Sequence, residues 1–147
     1  IRISGQETYK AIELLTGKSV PEPRVASLRK INKINTSELI DEGIILWFPG
    51  PESYTGEDMA EIHIHGGIAV ILAVQNEISK IKNCRLAEPG EFTKIAFQNG
   101  KINLLKAESI ADLISAGFAN GSTDTSKPSA TINSVAPDSS GEKEFTS

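Results

Sequence analysis

The stretch "EDMAEIHIHGG", residues 57 to 67, holds both histidines of the chain, with a carboxylate two positions before the first. Side chains on a β-strand alternate between faces, so Glu61, His63 and His65 are expected on one side, with Ala60, Ile62 and Ile64 on the other. Neighbours on that polar face lie about 7 Å apart. One acid and two imidazoles in a row support three readings. They are a Glu/His/His metal site, the solvated face of a half-buried strand, or the wall of a ligand pocket whose chemistry needs the acid. Further metal-ligand types do not follow in sequence, which weighs against the metal. Gly66 and Gly67 then break the strand, and "IAVILAVQNEISKI" reads as a helix leaving the turn. The row therefore ends at a strand-to-helix junction, where helix N–H groups favour anions.

The elements that must position this row follow a mixed α/β pattern. "IRIS" reads as a short strand; Ser4 is placed to cap the helix "QETYKAIELLTG", which Gly17 closes. After the spacer "PEP", "RVASLRKI" alternates as a strand, and "LIDEGIILWF" returns as its antiparallel partner across a polar turn. "PGPESYTGED" is a loop in which Thr55 and Asp58 suit turns and Gly56 permits a bend, so Glu57 and Asp58 have a local rationale. The strand of Glu61 is followed by a helix from about 68 to 82 and by "CRLA", short enough for an edge or closing strand. "EPGEFTKIAFQNGK" gives a turn, one or two helical turns and a stop at Gly100. Leu104, Leu105, Ile110, Leu113 and Ile114 then form a helical stripe. Trp47, Phe48, Phe92 and Phe97 read as core or pocket wall, because no basic clusters interleave with them as in a nucleic-acid stacking platform.

Composition bounds the rest. The chain has 147 residues, room for one domain with a real core. Its 15 basic and 19 acidic residues give no blanket affinity for nucleic acid or a membrane surface. Cys84 is the single cysteine, so an internal disulfide is excluded and a reducing compartment is favoured. The apolar run "IAVILAV" is too short to span a bilayer. The chain opens inside "IRIS" without a methionine, which reads as a truncation and leaves a removed targeting segment open. From 117 to 147, Ser, Thr, Gly and Pro supply 16 of 31 residues, so this part reads as a disordered tail following a domain of residues 1–116. "TGKS" at 16 to 19 imitates the end of a phosphate-binding loop. The motif needs a glycine where Ile12 stands, and a strand before it, so no GTP site is expected in this chain.

Two blocks, "LWFPGPESYTGEDMAEIHIHGG" and "RLAEPGEFTKIAFQNGKINLLKAESIADLI", resemble the N-terminal domain of the MnmE/TrmE family of tRNA-modification GTPases. The resemblance covers about residues 1 to 116. It implies an α/β (α+β) fold with a mixed sheet and packed helices, similar to the folate-binding part of the glycine-cleavage aminomethyltransferases. It implies binding of formyl- or methylene-tetrahydrofolate as a one-carbon donor, and constitutive homodimerisation. It also implies a larger protein that modifies the wobble uridine of tRNA with an FAD-using MnmG/GidA-type partner, touching tRNA only indirectly from this domain. Glu61 matches the family's pterin-binding acid; a carboxylate accepts the paired N–H groups of a pterin edge as a two-pronged, charge-assisted contact. Arg2 in "RISG" and Lys101 in "NGK" match the family's other folate-binding residues, leaving the histidines as neighbours. No catalytic residue and no metal ligand is implied.

The chain departs from the family pattern in several places. The strand and glycine-rich loop that usually precede "RISG" are missing, "HGGI" replaces "HGGP", and Ile95 stands where arginine is usual. The GTPase part and the family's C-terminal cysteine motif are also missing, so the chain alone is not expected to be catalytically complete. The alternatives are a stand-alone aminomethyltransferase-like folate protein and a truncated dimerisation module that holds no folate. Localisation follows origin: cytoplasm if bacterial, mitochondrial matrix if eukaryotic, with no membrane association.

Overall fold

The computed structural model describes residues 1–119 and 134–137. Its elements are β1 (Arg2–Ser4), α1 (Thr8–Thr16), β2 (Ser27–Asn32), β3 (Leu39–Phe48), β4 (Met59–His63), α2 (Ile68–Ser79), β5 (Cys84–Leu86), α3 (Glu91–Gln98), α4 (Leu104–Ala119) and β6 (Ser134–Pro137). The sheet runs β2-β3-β4-β1-β6-β5. From β2 to β1 every pairing is antiparallel; β6 lies parallel to β1 and antiparallel to β5. This is the α+β class expected of the sequence. Within the segment read as a tail, residues 117–119 complete α4 and 134–137 form β6; the remainder lies outside the described residues.

Period-2 alternation sorts the sheet residues onto two faces. On one, Ile3, Ile31, Ile45, Trp47, Ala60 and Ile62 are buried against Ala11, Ile12 and Leu15 of α1 and Val74 and Ile78 of α2. Burying each of the isoleucine, leucine and valine side chains stabilises by about 1.5–3 kcal/mol, which makes this face the main core. Trp47 adds an edge-on contact with the Tyr9 ring, centroids 6.1 Å apart. The other face has a smaller cluster, Met59 and Phe92 with Phe48 and Ala87, beneath α3. Of the four aromatics assigned to core or wall, Phe97 is the exception, with two-fifths of its surface exposed.

Several local expectations change. β2 begins at Ser27, because Arg24 sits at φ 63°, a left-handed turn that no strand accommodates. α1 starts after Glu7 with no side-chain cap; Ser4 is spent elsewhere, as described below. Gly17 closes α1 in the left-handed conformation as expected, its N–H bonding the Glu13 carbonyl. α2 ends at Ser79 rather than near Lys82, and β5 is the edge strand anticipated at 84–87. The α4 stripe does not face a core: Leu104, Leu105 and Leu113 are exposed, and only Ile110 and Ile114 are partly covered. Periodicity reports that a helix has an apolar side. It does not say whether the described part of the fold reaches it.

One glycine is dictated by a close approach. A Cβ on Gly43 of β3 would lie 2.2 Å from the His63 carbonyl oxygen of β4, closer than any side chain tolerates. Glycine here lets the two strands that carry the polar row come together.

Candidate functional site

Arg2 and Glu61 are cross-strand partners in the β1–β4 ladder, so both project from the face opposite the main core. There Arg2 Nε donates to Glu61 Oε1 at 3.2 Å. The second carboxylate oxygen, Oε2, meets His63 Nε2 at 2.8 Å. The Glu61 side chain retains 22% of its surface, against 57% for His63, so the acid is recessed between a guanidinium and an imidazole. Two of its four lone-pair positions are used, and acceptor capacity remains.

His65 departs from the row. β4 ends at His63, and beyond it the His65 amide and Nδ1 both turn to Asp41, at 2.9 and 2.8 Å. Asp41 shares its side of β3 with Gly43, Ile45 and Trp47, the side opposite Glu61. Burial works to raise the Asp41 pKa, but the His65 amide and ring outweigh it and hold the carboxyl below its ordinary 3.8. Glu61 and His63 are thus together, and His65 is not with them. Among the described residues no three His, Cys, Asp or Glu side chains converge as a metal centre.

The loop between β3 and β4 builds the rest of the face. Its Gly50–Pro51 peptide is cis, and the Gly50 N–H bonds Asp58 Oδ1 at 2.9 Å, clasping the loop's two ends. Asn99 Nδ2 donates to the Thr55 carbonyl at 2.7 Å, and Lys101 Nζ donates to the Pro51 carbonyl at 2.8 Å. Tyr54 Oη reaches Thr93 of α3 at 3.2 Å. Gly56, at φ 83°, is where the loop touches the turn after α3: a Cβ there would meet Asn99 Cβ at 3.2 Å and Lys101 Cγ at 3.4 Å. Lys101 is therefore fixed against this loop, one of its three donors engaged and its charge exposed.

Sequence reasoning missed Ser4. Two residues along β1 from Arg2 and on the same face, it is fully buried, as is Thr55. Ser4 Oγ donates to Glu57 Oε2 at 2.9 Å and lies 2.7 Å from Thr55 Oγ1, which accepts the Glu57 N–H at 3.3 Å. With the serine proton committed to the carboxylate, Thr55 must donate to Ser4, and the ring of polarities closes. A hydroxyl next to an apolar strand residue was the only signal in the sequence, and it suited a helix cap equally well.

The fold and this face define a small α+β domain with a recessed carboxylate held between a guanidinium and an imidazole. Residues 1–101 match the family described as "GTP-binding protein TrmE N-terminus", 101 of the 147 residues, and the chain belongs to that family. Among its relatives, the tRNA modification GTPase MnmE of Pelagibacter ubique (strain HTCC1062) is 80% identical over 116 residues, 79% of this chain and 26% of that protein. The protein of the same name from Phenylobacterium zucineum (strain HLK1) is 52% identical over 114 residues, 78% of this chain and 25% of that protein. The mitochondrial 5-taurinomethyluridine-[tRNA] synthase subunit GTPB3 of Danio rerio is 50% identical over 116 residues, 79% and 23% respectively. The chain thus spans about a quarter of the length of these relatives and corresponds to their N-terminal region. Bacterial and mitochondrial relatives both occur, and among the described residues no helix is long and apolar enough to cross a membrane.

Proposed function

We propose that this domain binds a reduced folate, formyl- or methylene-tetrahydrofolate, and serves as the folate-binding and dimerisation module of a GTPase that modifies the wobble uridine of tRNA. The observation that carries the reading is the Glu61 carboxylate, recessed on an open sheet face with acceptor capacity to spare. A pterin edge offers a ring N–H beside an amine, and a carboxylate is the side chain that accepts both. Arg2 holds the acid in place and adds positive charge. Lys101, at the far side of the 49–58 loop, is an exposed cation suited to the carboxylates of the folate tail. The names of the relatives support the larger setting, tRNA modification by a GTPase. The proposal adds an FAD-using MnmG/GidA-type partner that completes the reaction.

Dimerisation is supported by apolar side chains on the same open face. Leu28 and Ile44, cross-strand partners in β2–β3, are 66% and 40% exposed. A second copy of the chain would remove them from water. Such a domain works in the cytoplasm of a bacterium or in the matrix of a mitochondrion.

Calorimetric titration of 5-formyl-tetrahydrofolate into the chain and into Glu61→Gln tests the folate reading. The variant keeps the shape but turns one acceptor into a donor and removes the charge. It is expected to bind more weakly by roughly 2–4 kcal/mol, about 30- to 1000-fold. A chelator is expected to leave the isotherm unchanged. Equal affinity of the two proteins defeats the pterin assignment, and loss of binding on chelation restores the metal reading. Sedimentation equilibrium across a concentration series tests self-association, and a monomer throughout would sink that part.

A further inference from the structure

Glu57 carries a second carboxylate beside the β1 face of Arg2 and Glu61, and it is hydrogen-bonded to groups that are fully buried. Ser4 and Thr55 are both fully buried, and their hydroxyls close a ring with the Glu57 N–H and Oε2. Turning the side chain away would strand a buried hydroxyl without its partner. The other oxygen, Oε1, accepts no hydrogen bond among the described residues. Asp58 next to it is different: its carboxylate clasps the Gly50 N–H and serves the loop.

The position matters as much as the orientation. Ser4 is two residues from Arg2, about 7 Å along the same face of β1, and its hydroxyl bonds the Glu57 carboxylate. On its other side is Gly56, packed against Lys101. Glu57 therefore belongs to the loop segment between the two groups that the folate reading assigns to the ends of the ligand, Glu61 and Lys101.

We propose that Glu57 is a further binding residue that selects the reduced form of the ligand, an inference that rests on the folate reading of Arg2, Glu61 and Lys101. An ionised carboxylate only accepts hydrogen bonds. A tetrahydropterin ring carries hydrogens on N8 and, when unsubstituted, on N5. In the oxidised ring both nitrogens are bare acceptors. Facing the first, Glu57 gains a charge-assisted hydrogen bond; facing the second, it sets lone pair against lone pair. Ser4 and Thr55 are the positioning residues that keep the oxygen aimed.

Anaerobic titration of tetrahydrofolate and of folic acid into the 147-residue chain, Glu57→Gln, Ser4→Ala and Glu61→Gln tests this. The unmodified chain is expected to prefer tetrahydrofolate by about 10- to 100-fold. Glu57→Gln still accepts the Ser4 hydroxyl, so the loop holds. It is expected to lose most of that preference by binding tetrahydrofolate more weakly while binding folic acid equally or better. Ser4→Ala, checked for an unchanged circular dichroism spectrum, is expected to reduce the preference in the same direction; a purely structural serine would weaken both ligands alike. Glu61→Gln is expected to weaken both ligands together, because both carry the pterin edge it grips. A preference that persists in Glu57→Gln, or an equal loss for both ligands, overturns the proposal while leaving the folate reading standing. Failure of the unmodified chain to bind either ligand overturns both.

Discussion

Arg2 and Glu61 face each other across the β1–β4 ladder and are joined at 3.2 Å through Nε and Oε1. The acid and its cation are thus set by backbone register, before any ligand arrives. A carboxylate recessed alone would carry a desolvation penalty, and the guanidinium offsets it. With both side chains still partly in water, the pair adds little to stability and mainly fixes the direction of the carboxylate.

Arg2→Met is therefore expected to leave the melting temperature nearly unchanged while weakening 5-formyl-tetrahydrofolate binding by roughly tenfold, about 1.4 kcal/mol. His63→Gln retains a donor for Glu61 and is expected to cost less than about threefold. Calorimetry on the two variants ranks them, and a larger effect for His63 would mean that the imidazole touches the ligand.

Gly43→Ala is expected to destabilise the fold. Its Cβ would collide with the His63 carbonyl at 2.2 Å, and a backbone atom in a ladder cannot rotate away. Overpacking of this kind costs about 1–3 kcal/mol or more, a fall of roughly 5–15 °C in melting temperature. Calorimetric scanning reads it directly; an unshifted transition would show that β3 and β4 are not packed as described.

Glu77 links acidity to stability. It is buried in α2, where Oε1 accepts Lys80 Nζ at 2.6 Å and Oε2 accepts the Ile34 N–H at 2.9 Å, tying the helix to the β2–β3 turn. The Lys80 bond lowers its pKa below the ordinary 4.5, burial opposes this, and the Ile34 N–H adds to the lowering. A carboxyl with a depressed folded pKa contributes stability above its unfolded pKa, and the contribution fades as pH falls through the folded value. Urea unfolding between pH 7 and 3 should show that loss, and Glu77→Gln should flatten the dependence below pH 4.5. An identical acid limb in the variant would assign the dependence elsewhere.

Cys84 should be an unreactive thiol. Burial pushes its pKa up to about 11 from an ordinary 9.0, with the Glu7 charge adding to the rise and Lys10 opposing it. Near pH 8 the thiolate population, and with it the rate of disulfide exchange with an aromatic disulfide reagent, should be about 100-fold below that of the same chain in denaturant. Equal rates would place the sulfur in water.

What the sequence determined by itself was local or carried in contiguous blocks. Alternation placed Glu61 opposite Ala60 and Ile62, Gly17 ended α1, and the apolar strands around "NKINTSE" paired as an antiparallel hairpin. The two long motif blocks carried the family, to which residues 1–101 belong. These signals survive in one dimension because neighbouring residues share an element, and its period fixes their faces. Partner choice between distant segments does not survive in that form. Ser4 reads as a helix cap until Thr55 and Glu57, 51 and 53 residues away, arrive beside it. His65 continues the row of Glu61 and His63 by parity, yet β4 stops short of it and Asp41, 24 residues back, captures its ring and amide. The α4 leucines are periodic, and only the packed fold reveals that nothing described covers them. Each of these outcomes turns on where a strand or loop ends in space, which register and chain closure decide. The tertiary structure alone sets which buried polar group finds which partner.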